Sequence, residues 1–415
     1  MKILVIGTNT SSDFISQKLL EDPRVEKIWH VGANHNKFPT DRYEPHALDK
    51  KTLLESIANN SQEIDLIIPT VLFFQLWGEF RDLVKEKNIP TLMPQHELGM
   101  LEWSKATGKR LLTHLNIPTA PYQILTKTDL VKQFYSLSRP YVIKYEKDWR
   151  YGLQTVVVNN ENIDQEFHNF INAPKSTYPA TNGNQEPTFL IEQFVTGVRE
   201  YSWHALCNQT GWQYLGTSRD YKKRFENDQG YNTASMGSYS PVPDVNARIN
   251  DYADAIVKFL IKRGTPYVGI LYLGIMIDTN GVPVVLEINT RPGSPEIESI
   301  LPTINSNLLD LFYTTATNQT IPKVEFNDRS AVSLRIVNKT YNETIDQSKE
   351  KFVMPKLWPL TGNMMLSLGA RSKLLHSLLT IDGTSVDQAA DQIYKFLNNK
   401  SMGDYTYRTD IGYFK

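Results

Sequence analysis

The stretch 267-YVGILYLGIMIDTNGVPVVLEINTRPGSPEIE-298 decides how the rest of the chain is read. Two β-rich runs, Val268–Asp278 and Val282–Asn289, flank a Thr-Asn-Gly turn and predict a hairpin. At the end of its second strand stand Glu287, Asn289 and Arg291. Their alternate spacing puts all three on one face of an extended chain. A carboxylate, an amide oxygen and a guanidinium converging there suit a hard cation and a phosphate. A charged strand end facing solvent has the same appearance, so the remainder of the chain has to decide between the two.

Outward from this hairpin, composition sets the bounds. With 415 residues, the chain exceeds what one hydrophobic core serves, and two or three domains are expected. A 40% hydrophobic and 21% charged composition is that of an ordinary globular protein, and the net charge of −1 argues against nucleic-acid or acidic-membrane partners. The single cysteine, Cys207, excludes an internal disulfide and reads as a core residue of a strand over Tyr201–Asn208. No signal peptide or membrane span is recognised, and a cytoplasmic location is expected.

Strands at Lys2–Ile6, Ile28–Val31 and Leu66–Pro69 alternate with helical spacing at Phe14–Leu20, Leu53–Ile57 and Phe80–Lys87. That alternation predicts an N-terminal parallel α/β domain over residues 1–100. Gly7-Thr-Asn-Thr-Ser lacks the later glycines of a dinucleotide fingerprint, so NAD is not expected there. Ser104 reads as the N-cap of a helix running to Leu115. Tyr141–Lys144 is a strand ending in a lysine, followed by a turn at Asp148–Gly152 and a second strand at Thr155–Val158. Phe189–Val195 and Glu200–Leu206 are further strands, Ala173–Pro187 and Arg219–Pro241 are long polar loops, and Ile249–Arg263 is an amphipathic helix. Beyond Pro322, strands at Ala331–Val337 and Lys373–Ile381 and a helix at Ser385–Leu397 make a small α+β unit.

Collected, Lys105, Lys144, Glu192, Glu200, Lys222, Lys223 and the Glu287/Asn289/Arg291 face describe an ATP site, with cations for a triphosphate and oxygen ligands for a divalent metal. No P-loop or kinase signature is present.

The order of these segments resembles the ATP-grasp superfamily, and within it phosphoribosylamine–glycine ligase. Ser104-Lys105 through Asn116-Ile117-Pro118-Thr119-Ala120 is similar to that family's SK…GIPTA, and Ile191-Glu192-Gln193-Phe194 to its IEEF adenine hinge. Asp220-Tyr221-Lys222-Lys223 stands where the family has DHKR, and the stretch Asn232–Pro241 is close to NTGGMGAYSP. Gly269–Tyr272 with Leu286–Arg291 resembles GVLY…EFNxR, and Tyr407–Gly412 resembles the closing YRxDIG. The departures are equally specific. The N-terminal GGREHA is replaced by Thr8-Asn9-Thr10-Ser11-Ser12, the glycine-rich loop after Lys144 has lost most of its glycines, GDPE has become Gly293-Ser294-Pro295-Glu296, and GYPG is not recognisable.

The resemblance implies an N-terminal α/β domain (1–100), a central ATP-grasp domain (101–320) and a C-terminal α+β domain (321–415). It implies an ADP-forming carboxylate–amine ligase working through an acyl phosphate, with ATP and Mg²⁺ (or Mn²⁺). Lys144 and Lys105 are then expected at the phosphates, the backbone of Glu192, Gln193, Phe194 and Val195 at adenine, and Glu200 at the ribose. Glu287 and Asn289 are expected at the metal, Arg291 at the transferred phosphoryl group, and Lys222 and Lys223 closing over it. The partners are small carboxylate and amine substrates, and the assembly a monomer or homodimer. The departures favour altered substrates; a true phosphoribosylamine–glycine ligase of purine biosynthesis and an ATP-binding module without catalysis are the competing readings.

Overall fold

The structure is a computed structural model that describes residues 1–33, 40–72, 77–147, 155–159, 167–168, 170–172, 186–243, 247–341, 364–367 and 375–413. The turn expected at Asp148–Gly152 and most of the Ala173–Pro187 loop lie outside these residues. It is a mixed α/β protein of several sheets, as the alternation of strand and helix patterns implied. No helix among the described residues is long and apolar enough to cross a membrane.

The N-terminal sheet is parallel, in the order β3 (Tyr43–His46), β2 (Lys27–Val31), β1 (Lys2–Ile6), β4 (Leu66–Pro69). Helices α1 (Thr10–Leu20) and α2 (Lys50–Asn60) connect its strands, and α3 (Gly78–Glu86) follows β4. Both sheet faces are covered, which is why Ile3–Ile6 and Leu66–Ile68 are continuous apolar runs rather than alternating ones. Asn9 caps α1, its side chain accepting from the Ser12 amide at 3.2 Å.

Two helices follow in tandem, α4 (His96–Trp103) and α5 (Lys105–His114), and Ser104 between them caps the second as its sequence suggested. A small antiparallel sheet comes next, in the order β5 (Tyr122–Thr126), β8 (Thr188–Gln193), β6 (Tyr141–Tyr145), β7 (Thr155–Val158), backed by α6 (Lys127–Gln133). Its core is aromatic: Phe134, Tyr145, Phe167, Phe170 and Phe189 are all buried.

The large sheet is built on β9 (Gly197–Asn208) and β10 (Gly211–Asp220). A short two-stranded ribbon, β11 (Lys223–Phe225) and β12 (Gln229–Asn232), leads to β13 (Gly237–Ser240). Arg219–Pro241 is thus strand and ribbon, not the loop its composition implied. Its strands are short, polar and punctuated by glycine, so no alternation marks them. Helix α7 (Arg248–Lys262) precedes the expected hairpin, β14 (Gly269–Asp278) and β15 (Pro283–Asn289). Helices α8 (Glu296–Ile300) and α9 (Leu308–Ala316) then pack against α1, sharing a core that includes Phe14, Ile297, Ile300 and Phe312. The C-terminal strands β16 (Ser330–Asn338), β17 (Met364–Ser367), β18 (Leu375–Gly383) and β19 (Tyr405–Thr406), with helix α10 (Val386–Asn398), continue the same sheet. The link is β13, which pairs with β10 on one side and β16 on the other.

Candidate active site

The site lies where β15, α5 and the small sheet meet. Leu101, Glu102, Lys105, Lys109, Lys144, Leu190, Leu286–Asn289 and Arg291 line one cleft. Of the residues singled out in the sequence, Lys105, Lys144, Glu287, Asn289 and Arg291 are brought together here.

Glu287 is at its centre. Burial opposes ionisation of this carboxyl, but Lys222, Lys144 and Lys105 outweigh it and hold its pKa at about 2. The amide of Asn289 donates to Oε1 of Glu287 at 3.3 Å, which places the two oxygen-bearing side chains together. Opposite Glu287 on β14 stands Gly274. A Cβ there would come within 3.0 Å of the Glu287 Cγ, so glycine gives the carboxylate its room. Leu286 has no partner of its own, because the register slips between Gly274 and Ile275. The alternation from Glu287 to Asn289 is untouched by that bulge.

The lysines are held by carboxylates. Glu192 on β8 receives Lys109 at Oε1 and Lys144 at Oε2, the second at 2.5 Å, and all three side chains are buried. Burial opposes the Lys144 charge, yet Glu192 and Glu287 more than compensate and raise its pKa. For Lys109 burial dominates over Glu192, and its pKa falls to about 8. Burial likewise lowers Lys105. Lys222, two residues past the end of β10, reaches Glu200 on β9 at 2.7 Å. Glu200 together with Tyr272 and Glu287 raises the Lys222 pKa against the effect of burial.

Arg291 is fixed from behind. Its Nε donates to Glu102 Oε1 at 2.9 Å, while Oε2 of Glu102 accepts from the Thr290 amide at 2.7 Å. Glu146 braces the other side of the cleft. It accepts from the Ser104 hydroxyl at the start of α5 and from Thr188 Oγ1 at 3.3 Å, tying that helix to the small sheet.

Lys223, Gln193, Phe194 and Val195 are not among the residues that line the cleft. Lys223 turns to the ribbon, where Nζ donates to the Gly230 carbonyl at 3.1 Å. Gln193 and Phe194 are exposed at the end of β8 and Val195 is half-buried beyond it. Sequence reasoning missed Lys109, Glu102 and Glu146. Lys109 had a legible signal, since it is four residues from Lys105 on the same helical face.

Among the described residues, no group of three or more His, Cys, Asp and Glu side chains is arranged to hold a metal. One ionised carboxylate beside one amide nonetheless fits Mg²⁺, which takes one or two carboxylates and completes its shell from phosphates and water.

With this geometry in hand, the comparisons with known proteins are specific. Residues 103–297 match the phosphoribosylglycinamide synthetase ATP-grasp (A) domain model. Those residues are an ATP-grasp domain. Over 436 aligned residues the chain is 28% identical to phosphoribosylamine–glycine ligase of Leptospira interrogans, spanning 100% of this chain and 98% of that protein. It is 27% identical to the Streptococcus pneumoniae enzyme of the same name, with 99% of each covered. In fold it matches phosphoribosylamine–glycine ligase of Thermotoga maritima, with a TM-score of 0.75, 22% identity, and 99% and 100% of the two chains covered. Biotin carboxylase of Campylobacter jejuni, solved as a β-γ-ATP complex, shares the fold with a TM-score of 0.69 at 14% identity, covering 99% of this chain and 94% of that one. The ATP-grasp domain thus holds Glu287 and Asn289 on one sheet, with Arg291 two residues past that strand, and Lys144 and Glu192 on the other. The relatives matched along the whole chain are named phosphoribosylamine–glycine ligases, and the chain is an enzyme.

Proposed function

We propose that the protein is an ATP-dependent, ADP-forming carboxylate–amine ligase whose substrates differ from phosphoribosylamine and glycine. One observation carries the reaction: an ionised Glu287 beside Asn289, ringed by Lys105, Lys144 and Lys222, with Arg291 following on the same strand end. Such a ring has too many cations for a solvated strand end and suits a triphosphate.

Lys144 and Lys105 hold the phosphates, the end of β8 borders the base, and Glu200 borders the ribose. A Mg²⁺ or Mn²⁺ ion on Glu287 and Asn289 would neutralise and align the phosphate oxygens. A carboxylate oxygen of the first substrate attacks the γ-phosphorus, and the bond to the bridging oxygen breaks to release ADP. The nitrogen of the second substrate then attacks the acyl carbon. Phosphate leaves with the C–O bonding electrons, and the nitrogen gives up one proton. Arg291, braced by Glu102, and Lys222, braced by Glu200, offset charge on the transferring group and require no rearrangement at that moment.

Altered substrates are supported by Ser294, which stands where the resemblance has an acidic residue and contacts Thr10, Glu298 and Arg335. The full-length match to phosphoribosylamine–glycine ligases favours the second reading, that the original pair is still used. A coupled ADP-release assay over a matrix of carboxylates and amines separates them. The proposal requires ADP formation that depends on both components, with pairs other than glycine plus phosphoribosylamine preferred. Turnover confined to that pair establishes the second reading, and nucleotide binding without ADP under any mixture defeats both.

A further inference from the structure

The closing segment Tyr407–Gly412 lines no part of the cleft. What it grips is the ribbon β11–β12, whose first strand follows directly on Lys222. Among the described residues the ribbon is a sheet of its own, and a lone pair of strands is marginal in water. Arg408, only 2% exposed, supplies the grip. Its Nη1 donates to the Lys223 carbonyl at 2.8 Å, and its guanidinium carbon stands 5.0 Å from the centre of the Tyr221 ring. One side chain thus holds the residues on either side of Lys222.

The far end of the ribbon is held as well. Asn227 and Asp228, at its turn, have φ of +55° and +53°, in the left-handed region that residues other than glycine rarely enter. The Asn227 amide donates to Asp410 Oδ2 at 2.9 Å, and Asp228 Oδ1 accepts from both terminal nitrogens of Arg408, each at 3.1 Å. Glu226 accepts from the Thr409 hydroxyl and, at 3.3 Å, from the Thr409 amide. The tail is itself rooted in the C-terminal unit. Asp410 takes Nε and Nη2 of Arg408 at 2.8 and 2.7 Å, a paired fork. Ile411 is fully buried, and its carbonyl accepts from the Tyr394 hydroxyl of α10 at 2.8 Å. At the base of the ribbon the Lys222 carbonyl accepts from the amide and the hydroxyl of Thr233, at 2.7 and 2.9 Å. A bond serving stability alone could fall anywhere along the ribbon; these fall at its turn and around Lys222.

We propose that Tyr407–Gly412 is a clasp that sets the place of Lys222 for phosphoryl transfer, with Arg408 as its positioning residue. The inference rests on the ligase reading above, which puts Lys222 at the transferring group. Lysine is a point charge on a flexible stem, so its effect on that group depends on where its backbone is held. Lys144 and Lys105 belong to the small sheet and to α5, which the clasp does not touch. Loosening the clasp therefore affects the transfer step and spares nucleotide binding.

The test is a double-mutant cycle on the full chain, each variant assayed below the lowest thermal midpoint of the set. With a substrate pair that yields ADP, Arg408→Gln should lower kcat by about tenfold to a hundredfold and keep the KM for ATP within about twofold. In a Lys222→Met background the same substitution should cost less than about twofold, because the group it positions is gone. Arg408→Lys keeps the charge without the fork and should fall between wild type and Arg408→Gln. Asp410→Asn weakens the fork but leaves Asp228 to Arg408; it should shift kcat the same way by less, and it replaces Arg408→Gln if that variant does not fold. Wild-type kcat in Arg408→Gln, a loss confined to the KM for ATP, or an equal loss in both backgrounds overturns the proposal. A second readout needs no turnover: the rate at which trace acetic anhydride acetylates Lys222, read by mass spectrometry against the exposed Lys51. Arg408→Gln should raise that rate by about threefold or more, as Lys222 leaves Glu200 and its amine more readily loses its proton. If no substrate pair yields ADP but acetylation accelerates, the clasp stands and the ligase reading falls. ADP formation with an unchanged acetylation rate means the reverse.

Discussion

Replacing Glu287 by Gln tests the centre of the site, because it removes one charge and little volume. The folded protein holds this carboxyl at about 2 against an ordinary value of 4.5. At roughly 1.4 kcal/mol per unit, the surrounding lysines favour its ionised form by about 3 kcal/mol. Glu287→Gln surrenders that amount as an upper bound and leaves Lys105, Lys144 and Lys222 facing one another with less compensation. The sign follows from linkage. A folded-state pKa depressed below the unfolded value contributes stability that is complete above about 4.5 and fades as pH falls toward 2. Urea unfolding at pH 7 should therefore place the variant below wild type by up to about 3 kcal/mol, and the gap should narrow below pH 4.5. ADP release should fall by roughly a hundredfold or more, since the variant loses the charged metal ligand. Glu287→Gln with wild-type kcat would refute the metal assignment. An unchanged urea midpoint at pH 7 would refute the electrostatic account of the lysine ring, whatever happened to activity.

Two further outcomes follow from shifted groups. Lys109, lowered to about 8 by burial, loses its proton in the folded state before the unfolded one, so its charging burden on the fold is relieved between pH 8 and 10.5. In the same range Glu192 is left to Lys144 alone; ATP binding should weaken through pH 8 in wild type, and Lys109→Met should show weak binding with no such step. Glu298, raised to about 7, binds more protons folded than unfolded, so its cost develops from pH 4.5 and is complete above pH 7. Glu298→Gln should raise the unfolding free energy from urea titration at pH 8 by at most about 3 kcal/mol, and change it little at pH 5; equal destabilisation at both pH values would contradict the assignment.

The hairpin and its Glu287/Asn289 face were legible because they rest on local periodicity and strand alternation, whereas Arg291 lies past the end of the strand. Lys144 was legible only through the order of segments, since a lysine at a strand end reads as solvated. Glu102 was invisible: it sits in α4, a helix with neither a capping side chain nor a clear apolar stripe, and its partner is far along the chain at Arg291. Arg335 had a weak signal, a lone charge inside the apolar run Ala331–Val337, which is uncommon for a strand covered on both faces. What spacing could not supply was its neighbour. Only the pairing of β16 with β13 brings Arg335 to Met236, with its amide bonded to the Met236 carbonyl at 2.9 Å, and from there to Ser294.

That pairing has a mechanical consequence. Lys222 stands two residues past the end of β10, which pairs with β13, and Arg335 stands on β16, which pairs with β13 from the other side. One continuous sheet therefore ties the segment that carries Lys222 to the strand that carries Arg335. The lysine and carboxylate of the small sheet, Lys144 and Glu192, belong to a different hydrogen-bonded unit. The spacing between Lys222 and Arg335 is therefore set by hydrogen bonds that do not pass through the small sheet. A shared sheet holds such a spacing more constantly than an interface between separate hydrogen-bonded units does.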